Sequence, residues 1–206
     1  MKLAVLTLSI LALAGVGAVP FGALPANGPA KQRDAVVLFV SGRLFCEDVL
    51  EQVRIELLRA GHDVLIAAPD TLIAVGMDRT IIRPDLRLAD ADPAAAHALV
   101  LVGGSGAIRH WTDSSLHRVC RSFVEAGRPV GSVGLANICL ARAGLLEGRR
   151  ATTFPDRGAI AELHRAGSRY RPRAVVVDGP VITGLDTKAA REFGRALVGL
   201  LERTGR

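Results

Sequence analysis

The sequence predicts an α/β domain, a three-layer sandwich with helices on both faces of a mostly parallel sheet, and three features carry that expectation. Continuous apolar runs recur at residues 35–40 (AVVLFV) and 98–102 (ALVLV), and residues 130–133 (VGSV) read as a short buried strand. A strand covered on both faces reads as such an unbroken run, whereas a half-exposed strand alternates. Segments with apolar residues at helical spacing separate these runs, and strands alternating with helices build parallel sheets. At 206 residues, half of them hydrophobic and 22% charged, the chain suits one domain with a well-buried core.

Taken in order, residues 35–40 form the first strand, and Ser41-Gly42-Arg43 breaks it. A helix follows over 47–60, with Val49, Leu50, Val53 and Leu57 on one stripe and Gly61 closing it. Residues 62–67 complete a βαβ unit. The stretch 69–87 is weaker and predicts one or two minor edge strands, at 71–75 and 80–82. Strand 98–102 leads into Gly103-Gly104-Ser105-Gly106. The next helix starts near Asp113, capped by Thr112 or Asp113, and aligns Leu116, Val119, Cys120, Phe123 and Val124. Residues 151–155 read as a short strand and turn, and 156–166 as a helix. Residues 174–177 and 181–183 flank Asp178-Gly179, a strong hairpin signal. A closing helix over about 187–203 turns Phe193, Leu197 and Leu200 inward.

The chain is organised around residues 129–146, PVGSVGLANICLARAGLL. A short buried strand turns abruptly at Gly134 into an apolar helix through Ile138, Leu140 and Ala143. A strand that passes without a loop into a helix is the architecture of a nucleophile elbow, where one side chain is held at strained backbone angles. Glycine at the apex relieves that strain and offers no side chain.

This stretch resembles the DJ-one/PfpI (ThiJ) family of the class I glutamine-amidotransferase-like superfamily, whose members carry a segment like A-A-I-C-H-G-P-A-L-L-A-x-A-G-L-L with a reactive cysteine at the turn. Matched without a gap, Gly134 falls on the cysteine, Leu135 on the histidine often following it, and Ala136 and Asn137 on Gly-Pro. The resemblance extends over about residues 35–201, including the hairpin and last helix. There Gly184-Leu185-Asp186-Thr187-Lys188 stands for the family's S-R-G-P-G. It implies a flavodoxin-like topology and a homodimer.

The same resemblance nominates a ligand pocket at Gly103, Gly104, Ser105, Gly134 and Leu135. The family's P-G-G turn supplies a backbone N–H to an oxyanion, and adjacent amides at a strand end hold carboxylates or phosphates generally. A small anionic or carbonyl ligand is the partner that fits. The family pairs its cysteine with a glutamate from the first β-α junction. Counting forward from Gly42 places Glu47 there, and counting backward from Gly61 places Val49. Cys46 precedes that helix at the carboxyl edge of the first strand, where parallel α/β sheets form their sites. It is the candidate for a displaced nucleophile activated by a helix N-terminus. Ser132 is not in a G-x-S-x-G context, which argues against a serine hydrolase. Asp186 and Thr187 read as caps of the last helix.

Residues 1–30 differ from the rest: Lys2, then an uncharged apolar run over 3–19 with small residues at 16–18. They read as a signal peptide or an N-terminal membrane anchor, with the family-like domain over 34–203. The chain is therefore expected to be exported or anchored; a cytoplasmic domain with a misplaced start is the alternative. The net charge of +6 concentrates between Arg142 and Arg173. With few aromatics there, no specific nucleic-acid binding is expected, and a solvated basic face is the reading. Cys46, Cys120 and Cys139 have no CxxC spacing, so neither a zinc site nor a disulfide framework is indicated. His110, Asp113 and His117 read as capping or surface residues, and no metal or cofactor is expected.

Two functions from different classes follow. One is a non-catalytic binding or structural domain, a pseudoenzyme lacking the elbow cysteine. The other is a cysteine-dependent glyoxalase, deglycase or amidase-type enzyme using Cys46.

Overall fold

Seven strands form the central sheet in the computed structural model, which describes residues 35–204. In chain order the elements are β1 Ala35–Phe39, β2 Arg43–Phe45, α1 Glu47–Arg59, β3 Asp63–Ala68, β4 Ala74–Gly76, β5 Ile81–Ile82, β6 Leu86–Arg87 and β7 Ala96–Leu101. They continue with α2 Ser114–Glu125, β8 Val130–Val133, α3 Asn137–Arg142, β9 Arg150–Ala151, α4 Arg157–Arg165, β10 Arg169–Tyr170, β11 Val175–Asp178, β12 Val181–Gly184 and α5 Ala190–Thr204. The segment read as a leader or anchor, residues 1–30, lies outside the described residues.

The sheet runs β11-β12-β8-β7-β1-β3-β6, and only β11 and β12 pair antiparallel. Its parallel centre, β3-β1-β7-β8-β12, is the flavodoxin-like order, with the reversal at β1. Register places Val36 beside Ala98 and Leu38 beside Val100. These alternate residues join the core beneath α1 and α5, where Val49, Val53 and Leu57 meet Phe193, Leu197 and Leu201. Side chains alternate across a strand, so Val37 and Phe39 face the opposite layer, which buries Leu116, Cys120 and Phe123 of α2 and Ile138 and Leu140 of α3. Both faces are thus covered, as the unbroken apolar runs require.

The sequence misjudged the shortest elements. The break read at Ser41-Gly42-Arg43 runs into β2, Arg43–Phe45, which joins β4 and β5 in a separate three-stranded sheet. The stretch 69–87 supplies β4, β5 and also β6, which extends the central sheet beyond β3. β9 and β10 form a two-stranded parallel pair. Strands of two or three residues are too short for side-chain periodicity to register. No helix among the described residues is long and apolar enough to cross a membrane.

Candidate functional site

β8 ends at Val133 and the chain turns at Gly134, whose φ is +66°. A 3₁₀ turn, Gly134–Ala136, passes directly into α3. A β-carbon at Gly134 would meet almost nothing: the nearest atom is the Leu185 carbonyl oxygen at 4.0 Å. The apex is therefore shaped for a projecting side chain and has none.

Gly103 packs directly behind the apex, where a β-carbon would lie 2.5 Å from the Val133 carbonyl oxygen. Gly104, at φ +123°, presses on the β2–α1 junction, where its β-carbon would lie 2.6 Å from the Cys46 nitrogen and 2.8 Å from the Phe45 carbonyl carbon. The Cys46 amide donates to the Gly103 carbonyl oxygen at 2.8 Å. The glycine pair thus wedges the elbow against the junction that carries Cys46. The half-buried thiol lies 3.5 Å from the Thr187 hydroxyl, on the same loop whose Leu185 carbonyl faces Gly134. Cys46, Gly103, Gly104 and Gly134 come together at the carboxyl edge of the sheet.

The remaining nominated residues have other contacts. Ser105 is exposed at the start of a 3₁₀ turn, Ser105–His110. Leu135 is half-buried, and its carbonyl accepts the Trp111 indole N–H at 3.0 Å. The Arg142 guanidinium sits 5.6 Å from that ring's centroid. Glu47 accepts the backbone N–H groups of Met77 at 3.0 Å, Asp78 at 2.8 Å and Thr80 at 3.3 Å. Its carboxylate is thereby committed to the β4–β5 turn. Val49, the alternative by counting, is a core residue 2% exposed.

Sequence reasoning missed what holds the elbow from beneath. Ser132 donates to Asn137 Oδ1 at 2.5 Å, while Asn137 Nδ2 donates to the carbonyls of Thr152 at 2.9 Å and Gly184 at 2.8 Å. The Thr183 hydroxyl accepts the Thr152 amide at 3.0 Å, and the Thr153 hydroxyl donates to the Gly134 carbonyl at 3.0 Å. The four side chains of this network, Ser132, Asn137, Thr153 and Thr183, are all at most 1% exposed, so this is a dry polar network in which every bond is worth more than in water. It ties α3, β8, β12 and the 152–153 segment to the apex. The available signal was an asparagine opening an apolar helix, four residues after a buried serine's strand ended. A buried amide in such a place requires partners.

The other cysteines are packing residues. Cys120 and Cys139 are 0% and 1% exposed. Burial pushes the Cys139 thiol up to about 12 and the Cys120 thiol further still, so neither presents a thiolate near neutrality. Asp113 caps α2, accepting the amides of Ser115 and Leu116, and its carboxylate also holds His110 at 3.0 Å. His117 is buried, and desolvation first, then the Arg121 charge, lowers its basicity. Among the described residues no three His, Cys, Asp or Glu side chains gather as a metal set. Part of the basic run is paired: Arg142 with Glu162 at 2.8 Å, Arg165 with Glu162, and Arg150 with Asp178 at 3.2 Å. A cavity of about 380 Å³ opens at the carboxyl ends of β1 and β3, lined by the loops that follow them and by Arg109 and His110. None of the five nominated pocket residues lines it.

Comparison with known proteins agrees with this architecture. The chain is 37% identical over 130 residues to a protein of Methanocaldococcus jannaschii, covering 63% of each chain. It is 29% identical over 166 residues to Deglycase PfpI of Pyrococcus furiosus, covering 81% of this chain and 99% of that one. The ThiJ/PfpI domain protein of Brachyspira murdochii superposes with a TM-score of 0.79 at 22% identity, over 83% of this chain and 98% of that one. The profile of the DJ-1/PfpI family matches residues 37–200, and with the elbow, the glycine pair and the flavodoxin-like sheet in place, the chain belongs to the DJ-1/PfpI family.

Proposed function

We propose that this chain is a non-catalytic member of its family, a binding or structural domain in which the elbow persists without a nucleophile. The observation that carries this reading is Gly134 itself, in the left-handed conformation of an elbow apex with open space where a side chain would project. The reading gains support from Glu47, whose carboxylate is engaged by three amides of the β4–β5 turn and lacks a hydrogen bond to Cys46 or to the elbow. Export or membrane anchoring through residues 1–30 belongs to the same proposal. So does a homodimer, which the exposed Leu44 and Ile81 of the small sheet and Met77 of its β4–β5 turn favour.

One observation favours a second reading. Cys46 is half-buried at the same crevice, next to Thr187, and several relatives carry the name deglycase. A thiol there could attack a carbonyl only as a thiolate.

One experiment separates the readings. Iodoacetamide is expected to label Cys46 alone on the native chain, since Cys120 and Cys139 are buried, and all three cysteines after denaturation. Methylglyoxal consumption is expected to stay at the uncatalysed rate for both the parent and Cys46→Ser. Turnover in the parent that disappears in Cys46→Ser would establish the enzyme instead.

A further inference from the structure

We propose that the cavity at the carboxyl ends of β1 and β3 binds a small organic carboxylate with a short apolar body. Two kinds of surface meet there. Arg43 and Arg109 line the cavity with His110, and among the described residues neither guanidinium has an ion-pair or hydrogen-bond partner. Leu72 and Ile73 line it as well, 74% and 57% exposed.

The cavity's place in the fold is where such a site is expected. The strand order reverses at β1, which has β3 on one side and β7 on the other. In open α/β sheets ligands bind outside the carboxyl ends of the strands at such a reversal. The volume of about 380 Å³ falls within the roughly 300–1,000 Å³ of small-molecule pockets.

The charges select an anion. Asp70 is the acidic residue in the lining, and its Oδ1 accepts the Leu72 amide at 2.9 Å, which turns it onto its own loop. His110 is held by Asp113 through Nδ1 at 3.0 Å and stands edge-on to Phe39 at 5.2 Å, which fixes its ring. The buried Ser41 hydroxyl donates to the Arg43 carbonyl at 2.9 Å and holds the turn that presents that arginine. Two unpaired guanidinium groups match a carboxylate through paired N–H···O bonds. The exposed leucine and isoleucine give an attached hydrocarbon a surface to cover. The site is separate from the elbow and does not depend on whether Cys46 reacts.

The test is calorimetric titration of the full-length chain with hexanoate and with 1-hexanol, its uncharged counterpart. Saturable one-site binding of hexanoate is expected, at least about tenfold tighter than hexanol, because the charge-assisted bonds are lost with the carboxylate. Arg43→Gln with Arg109→Gln is expected to weaken hexanoate by at least about tenfold while leaving the melting temperature near the parent's, since both side chains are exposed and unpaired. Cys46→Ser is expected to bind hexanoate like the parent. Absence of saturable hexanoate binding, equal affinity for hexanol, or an undiminished affinity in the double arginine variant would overturn the proposal.

Discussion

Asn137→Ala is expected to be among the most destabilising single changes in the chain, lowering stability by about 3 kcal/mol or more. The side chain is 0% exposed and bonds Ser132 and the carbonyls of Thr152 and Gly184. Its removal strands three buried polar groups, each costing about 1–3 kcal/mol when left unsatisfied. The groups share one small space, so the penalties do not add fully. For a domain of this size the loss corresponds to a fall of about 6–12 °C in melting temperature. Thermal unfolding followed by circular dichroism measures it. A fall smaller than about 2 °C would show that the network is not what fastens the elbow to β12.

Gly104→Ala is expected to be at least as damaging, for a different reason. The residue stands at φ +123°, where side chains are rarely tolerated, and its β-carbon would press on the backbone of Leu44, Phe45 and Cys46. Backbone atoms cannot rotate away as a side chain does, so the β2–α1 junction or the Gly103 hydrogen bond to Cys46 must give. Strain at such a position costs about 1–3 kcal/mol by itself, and overpacking adds about 1–3 kcal/mol. Gly61→Ala is the control, because Gly61 also has positive φ, at +83°, yet its β-carbon would meet nothing within 4 Å. Chemical denaturation of the two variants separates the terms: Gly61→Ala reads strain alone, and Gly104→Ala must exceed it. Equal losses would mean that the glycine pair is not wedged between the elbow and Cys46.

The two predictions also mark where the sequence stopped being legible. The parallel sheet was readable because its innermost strands, β1 and β7, are buried on both faces and write near-continuous apolar runs. The helices were readable because Val49, Val53 and Leu57, or Leu116, Cys120 and Phe123, repeat at helical spacing and all are buried. The elbow was readable as a strand meeting a helix with no loop between. The role of Asn137 was not, because it depends on carbonyls brought from 15 and 47 residues away. Glu47 illustrates the same limit: the family resemblance nominated it to pair with a cysteine, while its three partners come from a turn about 30 residues downstream. The switch-point cavity joins residues of three separate loops, and no local motif encodes it.

The central claim is that the elbow keeps its shape with nothing reactive at the apex, and Gly134→Cys tests it most directly. The open space at the apex should admit the thiol, and the left-handed backbone should cost about 1–3 kcal/mol. Iodoacetamide labelling of the native variant, read by mass spectrometry, should find one modified cysteine more than in the parent, at position 134. A variant as stable as the parent, or a new thiol as protected as Cys120 and Cys139, would contradict an elbow at Gly134.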